Sequence, residues 1–251
     1  MNIDLPLVRR LEAMGLRAWP AKNVLYDGAW QLRITAGHPS KRLNSLSVLD
    51  RSDIADMEIR LEKAKRHYAA FGRPLLIRET PLTPQPLCDY LGAEGATHFD
   101  ESLVMTLDLK AFSAEDAIEV LPSQDVGRFV DASLAINPVE GLTKAGLAEV
   151  VTAIKPAHGL FMRESEDGTP YAAALAVHDF DMSGIEAFAV SADARRKGHG
   201  GKLVAAILRW AKGRGAGMAW LQVTSTNTGA IALYEGLGFR EAYRYRYWQE
   251  T

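Results

Sequence analysis

The chain has 251 residues, 47% of them hydrophobic, enough to bury a sizeable core in one large domain or two modest ones. Its 29 lysines and arginines nearly balance 31 acidic residues, so no global field draws it to nucleic acid or to an anionic membrane. A single cysteine, Cys88, excludes an intrachain disulfide and a multi-thiolate metal site, and no apolar run approaches the ~18 residues of a membrane span, so a cytoplasmic protein is expected.

The first hundred residues read as an α/β unit. DGAWQLRITAG (27–37) has the alternation of a strand, IRLEKAKRHYAAFG (59–72) the periodicity of a helix, and PLLIRE (74–79) that of a buried strand. LCDYLGAEGA (87–96) is a second helix, with Cys88 as a buried thiol in its apolar pattern, and THFDESLVMTLDL (97–109) is a further strand. Beyond them, VGRFVDASLAI (126–136) and TKAGLAEVVTAI (143–154) are short helices ended by Asn137-Pro138 and Lys155-Pro156. A meander of strands follows at 159–164, 170–180 and 184–190, separated by turn residues. Next come a helix at 201–212, a buried strand at 218–224, a helix at 227–238 and a closing strand with alternating aromatics, EAYRYRYWQE.

Between the strand ending at Val190 and the helix opening at Gly201 stands RRKGHGG (195–201). A diphosphate can be held by the unpaired N–H groups of a helix N-terminus, where the helix dipole is positive. Gly198, Gly200 and Gly201 let the backbone approach such a ligand. Arg195, Arg196, Lys197 and Lys202 supply charge, and His199 supplies its backbone rather than its ring. The bland alternative is a glycine-rich strand-to-helix turn with solvated basic residues. Rival phosphate loops fit worse: Arg196 stands where a Walker A loop needs its first glycine, and Leu203 replaces both that loop's hydroxyl residue and the last glycine of a dinucleotide fingerprint. The six histidines show no metal-binding spacing, so no metal is expected.

Arg195-x-x-Gly198-x-Gly200, five residues after Val190, together with Asn227 followed by ALYEGLGF (232–239), resembles the two signature motifs of the GNAT acetyltransferases, over roughly Leu103 to the end of the chain. The resemblance implies a mixed α/β fold with a largely antiparallel central sheet flanked by helices, and acetyl-CoA as cosubstrate for direct N-acetylation of a primary amine. It implies that Tyr234 protonates the leaving thiolate; an amphipathic core tyrosine is the alternative. It implies that Phe188, Ala189 and Val190 offer main-chain groups to pantetheine and the acetyl carbonyl, and that Asn227 belongs to the cofactor-binding set. Glu186, four residues before Val190 and on the same side of the strand by period two, matches the place where polyamine acetyltransferases of the family carry a carboxylate credited with amine deprotonation. A strand carboxylate paired with an arginine is the other reading, and a water relay the other route for the proton. A non-catalytic acyl-CoA-binding module is the alternative function.

KAKRHYAAFGRPLLIRET lies beside ILRWAKGRGAGMAWLQVT, and LCDYLGAEGA beside IALYEGLGF, at an offset near 144, a weak internal repeat. Residues 1–100 are therefore expected to form a degenerate, smaller GNAT-like domain ahead of a complete one at 101–251, as in tandem members of the family, with the change falling where SLVMTLDL passes into AFSAEDA. SKRLNSLSV (40–48), which has no glycine, is expected in the place of the glycine loop. The expected partners are a small-molecule amine or a peptide or protein amine, with neither nucleic acid nor membrane, and a homodimer is the candidate assembly.

Overall fold

The computed structural model describes residues 3–113 and 119–249. It opens on helix α1 (Leu5–Ala18), which the sequence reading did not identify although the signal is local: Asp4 accepts the Leu7 N–H at 3.0 Å, Pro6 sits in the first turn, and Val8, Leu11, Met14 and Ala18 bury one face. Then come β1 (Asn23–Asp27), β2 (Trp30–Ile34), a 3-10 turn at Lys41–Leu43, β3 (Leu46–Val48), α2 (Met57–Ala69), β4 (Leu76–Glu79), α3 (Gln85–Ala93) and β5 (Thr97–Asp108). The second half runs α4 (Val126–Ile136), α5 (Lys144–Ala153), β6 (Ala157–Glu164), β7 (Pro170–Asp179), β8 (Met182–Val190), α6 (His199–Gly213), β9 (Met218–Thr224), α7 (Thr228–Gly236) and β10 (Arg240–Gln249).

The ten strands among the described residues join one mixed sheet in the order β1-β2-β3-β4-β10-β5-β9-β8-β7-β6. Matching β1 to β6, β2 to β7, and so on through β5 to β10 makes this order read the same from either end. The pairing senses agree as well: β3 runs parallel to β4 as β8 does to β9, and the other neighbours are antiparallel. The centre holds an exchange. The last strand of the first half, β5, lies against β9, and the last strand of the second half, β10, lies against β4.

Two expectations about the first half change. SKRLNSLSV is not the counterpart of the glycine loop: it forms the 3-10 turn and β3, which takes the sheet position matching β8. The counterpart loop is the one that leaves β3 for α2, residues 49–56 (LDRSDIAD), which lacks glycine and carries Asp50, Asp53 and Asp56. Three carboxylates at a helix start repel a diphosphate. The expected boundary between residues 100 and 101 falls inside β5, and residues 114–117 of AFSAEDA lie outside the described residues.

One face of the sheet packs under α1, α4 and α5, with Val104, Leu175, Val177, Tyr243, Tyr245 and Tyr247 inward. The other packs under α6 and α7 through Leu103, Met105, Ile185 and Leu221, and under α2 and α3 through Trp30, Leu32, Ile34 and Ile77. Cys88, half-buried on α3, has its thiol pushed up to about 11, mainly by burial, which leaves it inert at neutral pH.

His38, 6% exposed, accepts the Ser40 N–H through Nδ1. Burial, with the Arg42 and Arg73 charges, pulls its pKa down to about 4. The unfolded chain, with an ordinary histidine, therefore binds the extra proton first as pH falls below about 6.5, and stability is lost from there down through pH 4. The melting temperature is expected to drop across that interval, and His38→Gln to flatten the drop; equal slopes in the two proteins would exclude His38 as its source.

Candidate active site

A break in the sheet organises the site. The parallel pairing of β8 with β9 runs from Met182↔Met218 to Ile185↔Leu221 and stops, although β8 continues to Val190. At the same place β8 carries a bulge: Leu175 pairs with Glu186 and Ala173 with Ala189, so two steps along β7 match three along β8, and Ala187 takes φ 48°. Phe188, Ala189 and Val190 thus keep β7 on one side and, among the described residues, have no paired strand on the other.

The bulge overturns one expectation. Period two puts Glu186 and Val190 on one side of the strand, but the extra residue shifts the phase. Phe188 and Val190 pack with the α6 and α7 side, whereas Glu186, opposite Leu175, faces α1. There it is 4% exposed, and the Arg42 guanidinium donates to both of its oxygens, at 2.9 and 2.7 Å. Arg42 comes from the 3-10 turn of the first half, and the Glu186 charge raises its pKa further above an already high value, against the cost of burial.

On the other face the glycine loop is built as its residue types require. After a short 3-10 turn (Ala192–Ala194), Arg195 donates through Nε to the Val190 carbonyl at 3.0 Å, which ties the loop back to the strand. Arg196 has φ 58° and Gly198 φ 79°, so the chain passes twice through the left-handed region before α6 begins. Gly198 is the N-cap, and the Lys202 N–H returns to its carbonyl at 3.1 Å as the first helical bond. The N–H groups of His199, Gly200 and Gly201 precede that bond and point out of the helix end. Arg195, Arg196, Lys197 and Lys202 are exposed around them, and the His199 ring packs on Tyr171 at 4.8 Å between centroids.

Gly200 is required for space rather than for its dihedrals. A Cβ there would lie 3.3 Å from Phe188 Cζ and 3.4 Å from Leu233 Cδ2, so strand, loop and α7 meet at this residue. Tyr234, one residue beyond Leu233, is buried between the rings of Phe188 (6.1 Å) and Phe239 (5.9 Å), and burial raises its phenol pKa well above the usual 10. Asn227 caps α7 by accepting the Ala230 N–H at 3.2 Å. The structure thus brings the loop, Phe188, Val190 and Tyr234 together on one face of the split and leaves Glu186 on the other.

The α1 face of the split holds residues that the sequence reading passed over. Gln222 follows Leu221 as Glu186 follows Ile185, so both stand just beyond the last paired rung. α1 crosses above Gln222 at Gly15, where a Cβ would come within 3.2 Å of its side-chain amide. Glu12, on the same helix, is buried against Arg78 and accepts the Tyr243 hydroxyl at 2.5 Å. Arg33 donates to the carbonyls of Leu16, Trp19 and Arg42. Nothing in the local sequence marks these groups, because their partners lie in other elements.

A GNAT cosubstrate fits the α6 face: unpaired N–H groups and cations at the loop suit a diphosphate, and the unpaired edge of β8 suits an amide-bearing arm. No group of histidines, cysteines and carboxylates among the described residues could hold a metal ion. No described helix is long and apolar enough to cross a membrane.

Known proteins resemble this chain in sequence and in fold. Residues 7–248 match the family model described as "Probable histone acetyltransferase Rv0428c C-terminal". An uncharacterised N-acetyltransferase, YobR, from Bacillus subtilis is 24% identical over 96% of this chain and 97% of its own. The ribosomal protein bS18-alanine N-acetyltransferase of Escherichia coli K12 is 36% identical over 78 residues, 31% of this chain and 53% of its own. Among solved structures, a GCN5-related N-acetyltransferase from Kribbella flavida superposes with a TM-score of 0.71 at 16% identity, covering 100% of this chain and 96% of that one. A tandem GNAT protein from the clavulanic acid biosynthesis pathway gives 0.66 at 13% identity, over 99% and 88%. The chain belongs to the family of that model and, with it, to the GNAT N-acetyltransferases.

Proposed function

We propose that the protein transfers an acetyl group from acetyl-CoA directly to a primary amine in the cytoplasm. The observation that carries this reading is the split between β8 and β9, with the glycine loop and Tyr234 on one face and a separate polar cleft on the other. Bound acetyl-CoA supplies an activated acyl carbon: a C–N bond forms there, the C–S bond breaks, the amine loses a proton and the sulfur gains one. His199, Gly200 and Gly201 orient the diphosphate by their N–H groups, and Phe188 to Val190 offer main-chain groups to the pantetheine arm. Tyr234, kept protonated by burial, donates the proton to sulfur.

Glu186 has a different part. Both Glu186 oxygens are engaged by one guanidinium and the residue is 4% exposed, so the carboxylate is not placed to meet an incoming amine. In this reading Glu186 orients Arg42 at the split, and the amine proton leaves through water. The same pair favours, as a second reading, an acyl-CoA-binding module without turnover. Calorimetry with acetyl-CoA followed by CoA release with a broad amine panel decides between them: binding with turnover supports transfer, binding without turnover supports the module, and no binding removes both.

Tyr234→Phe removes the O–H and keeps the ring. The expected result is a kcat lower by about ten- to a hundred-fold, with KM for acetyl-CoA nearly unchanged. A wild-type kcat would leave Tyr234 a packing residue. Since its phenol stays protonated well past pH 10, any basic limb of the rate profile below pH 10 should keep its midpoint in the variant.

A further inference from the structure

The cleft on the α1 face has a composition that the transfer chemistry alone does not explain. Glu12 from α1, Arg33 from β2, Arg42, Ser47 from β3, Arg78 from β4 and Gln222 from β9 line it. Three guanidiniums meet only two carboxylates there, Glu12 on Arg78 and Glu186 on Arg42. Among the described residues Arg33, 4% exposed, is the one of the three without a carboxylate: its bonds go to the carbonyls at the C-terminal end of α1 and to that of Arg42. The negative end of the α1 dipole offsets part of a charge, not a whole one. Burial, with Arg42 and Arg78 close by, lowers the Arg33 pKa to about 10, so the guanidinium is still charged at neutral pH.

A second observation points the same way. Arg78 is 5% exposed, and its Nε–H has no acceptor among the described residues. Beside Arg42, the buried Trp19 Nε1–H also has none, nor does Nε2 of His38, which carries the ring proton because Nδ1 accepts from Ser40. Orphaned buried groups are costly and rare; of these donors Arg78 lines the cleft itself, where Gln222 Oε1 lacks a donor too, so a ligand that brings both anionic oxygens and an N–H suits it. The cleft ends at Gln222, beside Glu186, at the point where β8 and β9 part. What is bound there faces the split from the side opposite the glycine loop.

We infer that this cleft is the acceptor subsite and that the acceptor carries a carboxylate beside its primary amine, as an α-amino acid does. One uncompensated positive charge matches a monoanion, and the planar guanidinium matches a carboxylate. The enclosed part of the cleft, about 10 Å³, takes one small polar group, so only the carboxylate enters it, on Arg33, and the rest of the acceptor lies outside it with the amine toward the split. The inference rests on the acetyltransferase reading and narrows it to a substrate class.

The test compares the common α-amino acids with their α-amides as acceptors for the full-length protein at saturating acetyl-CoA, with phosphoethanolamine and spermidine as further arms. At least one amino acid is expected to be acetylated, with its amide poorer in kcat/KM by about tenfold or more, because the amide leaves the cationic site unpaired. Arg33→Gln is expected to raise KM for that amino acid by a larger factor than for its amide and to keep acetyl-CoA affinity, while Arg33→Lys restores part of the loss. Should the variants fail to fold, the comparison on the wild-type protein decides alone. Equal use of acid and amide, or transfer only to phosphoethanolamine or spermidine, overturns the carboxylate assignment and leaves the acetyltransferase reading standing. Acetyl-CoA binding without transfer to any amine overturns both.

Discussion

Gly198→Glu is expected to abolish measurable acetyl-CoA binding while the protein stays folded. At φ 79° a side chain meets strain of roughly 1–2 kcal/mol, yet no atom lies within 4 Å of a Cβ placed there, so the residue is accommodated at the cost of some stability. The new carboxylate stands at the mouth of the α6 N-terminus, where it repels a diphosphate and competes for the same N–H groups. Gly198→Ala separates the two effects: it carries the strain without the charge and should keep most of the affinity. Calorimetry on both variants is the check. A folded Glu variant with wild-type affinity would remove the loop from the cosubstrate site.

Residues 101–251 expressed alone are expected to be insoluble or unable to bind acetyl-CoA, although they contain both signature motifs. The fragment removes β4, the neighbour of β10, and α1, which covers the β8 side of the sheet, and it cuts β5 four residues into the strand. It also strips Arg42 from Glu186, and leaving one member of a buried pair costs on the order of 3–5 kcal/mol, comparable to much of a domain's net stability. Residues 1–100 alone should bind no acetyl-CoA, since their loop at 49–56 is acidic. A soluble 101–251 fragment with full turnover would show that the shared sheet is dispensable.

Where a signal is local, the sequence is a sufficient guide. Val126–Ile136 and Met218–Thr224 carry strong periodicity between clear breakers and have the expected bounds. The two GNAT motifs lie where the loop and α7 meet, because each is a contiguous run whose residue types answer to backbone geometry. Period two fails at Glu186 since a single inserted residue, invisible in IEAFAV, reverses the face of everything before it. Arg33, Arg42, Arg78 and Glu12 escape notice for another reason: they stand in β2, the 3-10 turn, β4 and α1, and only the long-range packing of those elements collects them. The repeat is legible in α2, α3 and β4, but the exchange of β5 and β10 is not, as no pattern within a strand names its neighbour.

That exchange bears on how the protein is made. β5 is complete once residue 108 has been synthesised, but its partners β9 and β10 begin at Met218 and Arg240, more than about 110 residues later. At 5–20 residues per second the ribosome takes roughly 7 to 30 s to deliver both. Through that interval SLVMTL is a nascent β segment with both edges open and an apolar face on each side, the kind of segment that recruits chaperones or pairs with its like on a neighbouring polysome. Slower elongation through the second half should therefore lower the yield of soluble protein, the reverse of what independently folding halves would give.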